Sequence, residues 1–134
     1  MEGAVYFLTW RIHKFQRILG SAEKDLIVSA LRHFSGKRYD LRAYVVMDDH
    51  VHVVAQPFEN FPIQQLVHSW KSFSANQMQK KFNRVGAIWQ EEYFDRIIRD
   101  EKEFFKKARY IMNNPYIRWP DMEEYKWVWV KGES

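Results

Sequence analysis

Two strand-like runs separated by only three residues constrain the fold of this chain most. Tyr39 to Met47 and Val51 to Gln56 are rich in β-branched and other apolar residues, and the residues between them are Asp48, Asp49 and His50. A connection of this length and chemistry favours a tight hairpin. We therefore expect the two runs to pair as neighbouring antiparallel strands.

Further strands and helices are predicted on either side of this hairpin. Val5 to Ile12 is rich in β-branched and aromatic residues and is typical of a strand. Ser21 can cap a helix that ends near Gly36, and Pro62 suits the first turn of a second helix. Apolar residues recur at helical spacing in this second segment. We expect its buried stripe to contain Ile63, Leu66, Val67, Trp70, Phe73, Gln77 and Met78.

The last third of the chain adds one more strand and one more helix. Tyr93 to Arg99 is strand-like, and Asp100 with Glu103 resembles a capping box that begins a third helix. Pro115 should end that helix. The order strand, helix, strand, strand, helix, strand, helix predicts an α+β fold, a ferredoxin-like antiparallel sheet with helices packed mainly on one face.

The length and composition predict one domain. The chain has 134 residues, of which 46% are hydrophobic, which is enough for a single core over residues 1–134, with residues 117–134 as a C-terminal tail. Within this tail, Tyr125 to Val130 alternates like a short strand or a docked segment. Cysteine is absent, which excludes disulfide scaffolds, thiolate zinc sites and cysteine nucleophiles.

The sequence contains neither a membrane span nor a secretory signal pattern. No run approaches the roughly 18 apolar residues that a span needs, and Met1 to Lys14 lacks the layout of a signal peptide. We therefore expect a cytoplasmic protein with no membrane partner. A net charge of +4 mildly favours a polyanionic partner. Aromatic residues make up 17% of the chain and either fill the core or stack on unpaired bases.

His50 and His52 form a candidate metal site. Side chains two residues apart on a strand share a face, whereas Val51 between them points to the other side. Two imidazoles this close can bind one divalent metal ion. The alternative is an exposed histidine pair with no ligand.

The third predicted helix carries a tyrosine away from its apolar arc. At ~100° per residue, Tyr110 falls roughly opposite the arc, with Lys107 and Asn114 one turn before and after it. These three residues form a polar stripe with a phenol at its centre, although a solvated helix face with a stray tyrosine is the simpler alternative. The predicted apolar arc contains Phe104, Phe105, Ala108, Ile111 and Met112.

Together, these groups suit phosphodiester chemistry. A phenolate is a nucleophile that can form a covalent intermediate, and a metal ion can neutralise charge that develops at phosphate. Lys107 can stabilise the same charge. His50, His52 and the amide oxygen of Asn114 would make a three-ligand site compatible with Mg²⁺ or Mn²⁺, and imidazole favours Mn²⁺.

Three linked motifs resemble a known family. The chain is similar to the REP-associated tyrosine transposases, which belong to the single-tyrosine transposases of the HUH endonuclease superfamily. With Thr9-Trp10-Arg11, the resemblance spans roughly residues 5 to 116. The matching segments, in family order and spacing, are Ala43 to Met47 leading into His50-Val51-His52, then Trp89 to Arg96, then Arg109 to Pro115.

The resemblance implies specific roles for four residues. His50 and His52 match the metal-binding pair of the family, Tyr110 its nucleophile, and Asn114 the polar residue that completes the metal site. In such enzymes the tyrosine attacks single-stranded DNA, leaving a 5′-phosphotyrosine and a free 3′-hydroxyl that can later rejoin strands. The resemblance therefore implies a divalent metal, Mg²⁺ or Mn²⁺, no nucleotide cofactor, and a single-stranded DNA partner with hairpin (palindromic) elements.

The sequence departs from the family at two places. Asp49 stands where the family usually has asparagine, and Asp48 precedes it. After Pro115 the family commonly continues with a small Ala-Gly segment, whereas this chain has Tyr116-Ile117-Arg118-Trp119-Pro120.

Several other residues are candidate contacts. In a strand, Asp95 and Arg96 point to opposite faces, so Asp95 is predicted to orient a ligand histidine and Arg96 to meet DNA, with a cross-strand ion pair as the alternative. Arg11 and Lys107 are candidates for phosphate or transition-state contact, and Trp89 for base stacking. Weaker candidates are Lys71, Arg84 and Arg118 for phosphate and Trp119, Trp127 and Trp129 for stacking.

The sequence thus predicts a metal-dependent single-stranded DNA endonuclease and strand transferase. One alternative is a DNA-binding or regulatory protein on the same fold that does not cleave. Another is a metallohydrolase that uses activated water and forms no covalent adduct. One tyrosine per chain holds one DNA end at a time, so complete strand exchange favours a homodimer or sequential cleavages.

Overall fold

A computed structural model describes residues 3–132 of the chain. These residues form a five-stranded sheet and three helices. In chain order the elements are β1 (Val5–Arg11), α1 (Ser21–His33), β2 (Tyr39–Val46), β3 (His50–Pro57), α2 (Ile63–Lys81), β4 (Phe94–Ile98), α3 (Glu101–Arg118) and β5 (Val128–Val130). The predicted single domain over residues 1–134 extends at both ends beyond the described residues.

The sheet is antiparallel, with strand order β4-β1-β3-β2-β5. This order confirms the predicted ferredoxin-like α+β fold, and β2 and β3 form the predicted hairpin. β5 adds to the free edge of β2, which explains the alternation within Tyr125 to Val130. β3 is the central strand, with β1 and β2 on either side of it.

The two faces of the sheet are covered differently. α1 and α2 pack on one face over a core that includes Leu8, Trp10 and Val53. α3 crosses the other face and packs on Phe7, Val45 and Val54 through Ile111. His52 is paired with Thr9 in the β1–β3 register, two residues from the Phe7–Val54 pair. Because side chains alternate along a strand, His52 lies on the α3 face.

The beginnings of the first two helices show how local chemistry sets their bounds. Gly20, not the predicted Ser21, is the N-cap of α1, and its N–H donates to the Glu23 carboxylate at 3.0 Å. In α2, Phe73 is exposed rather than part of the buried stripe. Ser74 is buried in its place because its hydroxyl donates to the Trp70 carbonyl at 2.7 Å, which satisfies its polar group inside the core.

The prediction that Pro115 ends the third helix is wrong, because α3 continues to Arg118. Proline removes one intrahelical hydrogen bond, but only one turn remains beyond it. The Pro115 ring is itself buried, and its carbonyl accepts from the Trp119 N–H at 2.8 Å. Packing of this last turn against the sheet compensates for the lost bond, and the added turn places Arg118 two turns beyond Tyr110.

The buried face of α3 is narrower than predicted. Phe105 and Met112 are exposed, whereas Ala108 and Ile111 are buried. The sheet-facing stripe therefore follows Phe104, Ala108, Ile111 and Pro115. Tyr110 lies on the flank of this stripe rather than opposite it, which is why its ring reaches the sheet.

Among the described residues, no helix has the length and apolar character that crossing a membrane requires.

Candidate active site

The two histidines of β3 lie together beneath α3. Their ring centroids are 4.7 Å apart. His52 is only 4% exposed, and its ring stacks on Phe7 at 5.3 Å. His50 begins β3 directly after the hairpin turn and is partly exposed. The pair therefore has one member inside the protein and one at its rim.

Each imidazole is held through its Nδ1 atom. A hydrogen bond of 2.7 Å joins His52 Nδ1 to the hydroxyl of Thr9, its cross-strand neighbour. His50 Nδ1 donates to the Asp49 carboxylate at 2.6 Å. Such partners fix the orientation of a metal-binding histidine and direct its other nitrogen to the ligand. Both Nε2 atoms are thus the ones left to bind.

The Nε2 atom of His52 is buried and makes no hydrogen bond within residues 3–132. Burial, together with the nearby positive charges of His50, Arg11 and Lys107, lowers the pKa of His52 to about 3. His52 is therefore neutral at neutral pH, which is the form of imidazole that binds metal. A buried nitrogen without a partner is costly unless a ligand completes it.

Asp49 stays a carboxylate beside His50. Its partial burial raises its pKa, but the hydrogen bond from His50 and the nearby charges of His50, Arg11 and Arg118 outweigh this effect and lower it overall. A carboxylate partner makes an imidazole a stronger metal ligand than an amide would. The departure from the family at this position therefore acts directly on the histidine pair.

Tyr110 lies over the histidine pair. Its ring centroid is 5.4 Å from that of His52 and 6.3 Å from that of Phe7. The side chain is exposed, so a large substrate can reach it. Lys107, one turn earlier, places its Nζ atom 4.8 Å from the centre of the Phe7 ring. The structure thus brings together Tyr110, Lys107, His50 and His52.

The end of α3 is tied to the hairpin turn by an ion pair that the sequence did not reveal. Arg118 Nη2 donates to Asp48 Oδ2 at 3.1 Å, and Asp48 is 5% exposed. Asn114 lies between Tyr110 and Arg118 on the same flank and is half-buried. Within the described residues its side chain makes no hydrogen bond, so it is placed near the site without a fixed contact.

The donor set fits a divalent metal ion. Two imidazoles lie side by side, and the Nε2 atom of His52 is buried without a partner. Over residues 3–132 there is no cluster of three or more His, Asp or Glu side chains arranged to bind a metal. The two histidines would therefore leave further positions on an ion open to other ligands such as water and phosphate.

Arg11 and Arg96 lie on the same face of the sheet as the histidines. Arg11 is paired with His50 and is exposed at the end of β1. Arg96 is paired with Phe7, but its Nε donates to Glu103 Oε1 at 3.1 Å. Arg11 therefore lies exposed beside His50 at the rim, whereas Arg96 is engaged at the beginning of α3.

The predicted role of Asp95 in orienting a histidine is wrong. Asp95 is paired with Leu8, whose side chain points into the core under α1 and α2. Asp95 therefore lies on the opposite face from His50 and His52 and contacts neither. The orienting groups are Thr9 and Asp49. Asp49 could have been found from the sequence, because it is the residue next to His50. Thr9 could not, because its contact with His52 depends on the register of β1 against β3.

Trp89 is not a surface for base stacking. It is 6% exposed, and its indole N–H donates to Ser74 Oγ at 3.0 Å. Arg84 is also buried, in an ion pair with Glu23, and does not meet a phosphate. Lys71 donates to the Gln90 carbonyl at 2.7 Å. These residues hold the segment between α2 and β4 in place.

The tryptophans of the C-terminal segment pack on cationic side chains. Trp119 and Trp127 surround the buried Lys24, whose Nζ lies 5.4 and 4.8 Å from their ring centroids. Trp129 packs on the Arg32 guanidinium at 4.9 Å. Their faces are therefore engaged within the protein, and the predicted tail is docked along β2 and α1.

A family model described as IS200-like transposase matches residues 4–114. The chain belongs to this transposase family. The matched segment contains both histidines, Tyr110 and Asn114, which confirms the resemblance suggested by the motifs. Family membership supports a function in DNA processing.

Individual relatives are more distant. An uncharacterised protein of Haemophilus influenzae (strain Rd) is 28% identical over a match that covers 61% of this chain and 57% of that protein. The match therefore spans little more than half of the relative's length. The structure of a REP-associated tyrosine transposase bound to a REP hairpin is similar with a TM-score of 0.75 and 19% identity, covering 89% of this chain and 70% of that one.

A second solved structure, from Deinococcus radiodurans R1, is similar with a TM-score of 0.60 and 24% identity. It covers 81% of this chain and 88% of that one, and its own assignment as a transposase is provisional. Both similarities establish the fold of the present chain.

Proposed function

We propose that this protein is a metal-dependent single-stranded DNA endonuclease and strand transferase that acts through a covalent 5′-phosphotyrosine at Tyr110. The observation that supports this most is the position of Tyr110, exposed on α3 with its ring 5.4 Å from the buried ring of His52. A nucleophile at the surface, directly above a pair of candidate metal ligands, suits attack on a polymer.

The cleavage step is a direct displacement at phosphorus. The Tyr110 oxygen, after losing its proton to solvent, forms a bond to phosphorus, and the bond from phosphorus to the 3′ oxygen breaks. That oxygen leaves with the electron pair and takes up a proton to become a 3′-hydroxyl. Since one phosphodiester replaces another, the reverse attack by a 3′-hydroxyl rejoins strands without a nucleotide cofactor.

His50 and His52 would hold a divalent ion, Mg²⁺ or Mn²⁺, with Asn114 as the third protein ligand. An ion held there would supply positive charge to a phosphate group. Lys107 lies beside Phe7 on the same surface and contributes a fixed positive charge toward the phosphate. Arg11, at the rim next to His50, is suited to bind the neighbouring phosphate of the strand.

The proposed partner is DNA that combines a single strand with a hairpin. This inference draws on the structural neighbour, which is described as bound to a REP hairpin. Because each chain offers one Tyr110, a complete exchange of strands requires two chains or two successive cleavages. We propose a homodimer as the simpler arrangement.

The experiment uses a single-stranded oligonucleotide labelled at its 3′ end, incubated with the protein and Mn²⁺ or Mg²⁺. We expect the label to migrate with the protein on a denaturing gel and the other fragment to end in a 3′-hydroxyl. A chelator should prevent both. The same oligonucleotide labelled at its 5′ end is the matched control and should not label the protein.

Two other outcomes would each support an alternative. Cleavage without any labelled protein would indicate a metallohydrolase that uses water. Binding without cleavage, with both metals and with hairpin-containing strands, would indicate a DNA-binding or regulatory protein on the same fold.

A further inference from the structure

Three large apolar side chains are exposed together near the hairpin turn. Phe15 is 82% exposed, Ile18 62% and Val85 86%. Phe15 and Ile18 lie in the loop between β1 and α1, and Val85 lies in the segment between α2 and β4. We call these three residues the apolar tip. Single exposed apolar residues are ordinary, but a group of them marks a binding surface.

The two segments of the apolar tip are joined by hydrogen bonds. The Gln16 amide donates to the carbonyls of Val85 at 2.8 Å and Ala87 at 3.0 Å. The buried Arg84 guanidinium donates to the carbonyls of Arg17 at 2.8 Å and Ile18 at 2.9 Å. The apolar tip is therefore held in one arrangement rather than carried on independent loops.

A buried ion pair anchors this arrangement. The Arg84 side chain is fully buried and pairs with Glu23 in the first turn of α1, to which its Nη2 donates at 2.8 Å. A buried ion pair repays its desolvation only when further hydrogen bonds complete it, as they do here. The Arg84–Glu23 pair and its hydrogen bonds thus hold the exposed apolar tip in place.

The apolar tip lies at the same end of the sheet as the histidine pair. The Ile12 N–H donates to the Asp49 carbonyl at 2.9 Å, and the Leu19 N–H donates to the Asp48 carbonyl at 2.8 Å. Both ends of the loop that carries Phe15 and Ile18 are therefore bonded to the turn that leads into His50. The apolar tip therefore adjoins the turn from which His50 begins β3.

The charge around the apolar tip favours a polyanion. The two segments, residues 11–20 and 80–88, contain no Asp or Glu. Arg84 is neutralised by Glu23, and the other cations remain at the surface. Lys14 Nζ lies 5.1 Å from the Phe15 ring centroid, so a cation stands directly beside the exposed ring. The cations of the two segments are Arg11, Lys14, Arg17, Lys80, Lys81 and Arg84.

We propose that the apolar tip binds unpaired bases of the DNA strand that Tyr110 cleaves. Phe15 stacks on a base, Ile18 and Val85 contact its neighbours, and Lys14 and Arg17 bind the phosphates between them. Proteins that bind single strands combine aromatic side chains, which stack on the bases, with basic side chains along the backbone. Stacking is possible with any base because every base has an aromatic face. This inference rests on the proposed function, since it extends the same DNA path beyond the histidines.

The test is the affinity for a fluorescently labelled single-stranded oligonucleotide, and for the same sequence as a blunt duplex, measured by anisotropy. Phe15→Ser should weaken binding of the single strand by about 5- to 150-fold, the range that corresponds to loss of one stacked base. Duplex binding should change little. Because stacking involves no phosphate, the dependence of affinity on salt should stay as in the wild type, whereas Lys14→Gln should reduce its slope by about 0.7.

Phe105→Ser is the matched control, because Phe105 is also an exposed phenylalanine but lies near the beginning of α3, at the other end of the sheet. It should bind like the wild type. Ile18→Ser provides a second variant of the apolar tip, and thermal unfolding of each variant should match the wild type since these side chains are exposed.

Wild-type affinity of both Phe15→Ser and Ile18→Ser for the single strand would overturn the proposal. A change in oligomeric state by light scattering, with DNA affinity unchanged, would instead identify the apolar tip as a protein interface and also overturn it. The proposed function can fail while this inference holds. If the wild-type protein forms no adduct but Phe15→Ser still lowers DNA affinity, the apolar tip is a DNA-binding surface and the nuclease proposal is wrong.

Discussion

Replacing Thr9 by valine tests how the buried histidine is held. Thr9→Val removes only the hydroxyl that bonds His52 Nδ1 at 2.7 Å and keeps the shape and β-branching of the side chain. Because His52 is 4% exposed, water has little access to replace the lost partner. Nδ1 is then left buried and unpaired, as Nε2 already is.

Two magnitudes follow from this change. An unsatisfied buried polar group costs about 1–3 kcal/mol, so the free energy of unfolding should fall by that amount. The imidazole also loses the group that fixes its orientation, and loss of such a group typically weakens metal binding about 10- to 100-fold. Both effects arise from one atom.

The assay is urea unfolding of the metal-free protein together with Mn²⁺ titration by calorimetry. Thr9→Ser is the control, since it retains the hydroxyl, and it should keep most of the metal affinity. If Thr9→Val is as stable as the wild type and binds Mn²⁺ equally well, the hydroxyl does not orient His52 and the reasoning is refuted.

Three further predictions concern the surrounding structure. Glu23→Gln leaves the buried Arg84 charge without its partner and should lower the free energy of unfolding by about 3–5 kcal/mol in urea; an unchanged midpoint would show that the pair is not buried in solution. The pKa of His52 is about 3 in the folded protein and near 6.5 when unfolded, so below pH 6.5 the unfolded chain takes up a proton that the folded one does not. The free energy of unfolding of the metal-free protein should therefore fall as the pH drops from about 6.5 toward 3, and it should fall less steeply with pH in His52→Gln. Equal slopes in the two proteins would contradict the assignment of this effect to His52. Asp48→Asn weakens the bond that holds Arg118, so amide hydrogen exchange in the last turn of α3 should become faster and adduct formation slower at unchanged DNA affinity; unaltered exchange would mean that the ion pair does not fix this helix end.

Local patterns in the sequence were sufficient for the elements that carry the site. Three residues between two strand-like runs allow little except a hairpin, and alternation then places His50 and His52 on one face. Asp100 accepts from the Glu103 N–H at 2.8 Å, as the predicted cap requires. These features depend on residues within a few positions of one another in the sequence. Patterns of hydrophobic periodicity and helix capping cover this same short range.

Features that depend on packing between distant segments were not predictable in this way. The sequence shows that Asp95 and Arg96 face opposite sides, but only the register against β1 decides which side meets the histidines. Trp89 is a large ring in a polar segment, and its burial depends on a partner hydroxyl from α2. The hydrogen bond of Thr9 and the ion pair of Asp48 likewise join residues far apart in the chain.

Pro115 is a case where a local rule was overridden. Its cost to the helix is real, but the ring is buried and the last turn gains a contact between Arg118 and Asp48. Tertiary packing of this kind outweighs local preference because it involves more contacts than the one hydrogen bond that proline removes.

The most direct test of the central claim is the identity of the residue that becomes linked to DNA. Wild-type protein, Tyr110→Phe and Tyr116→Phe are each incubated with the single-stranded oligonucleotide and Mn²⁺, digested with nuclease and protease, and analysed by mass spectrometry. Tyr116 is the control because it is a tyrosine of the same helix that packs against the sheet core. The account predicts a nucleotide on the peptide containing Tyr110 in the wild type and in Tyr116→Phe, and none in Tyr110→Phe. An adduct that persists in Tyr110→Phe, or one on any other residue of the wild-type protein, would contradict it.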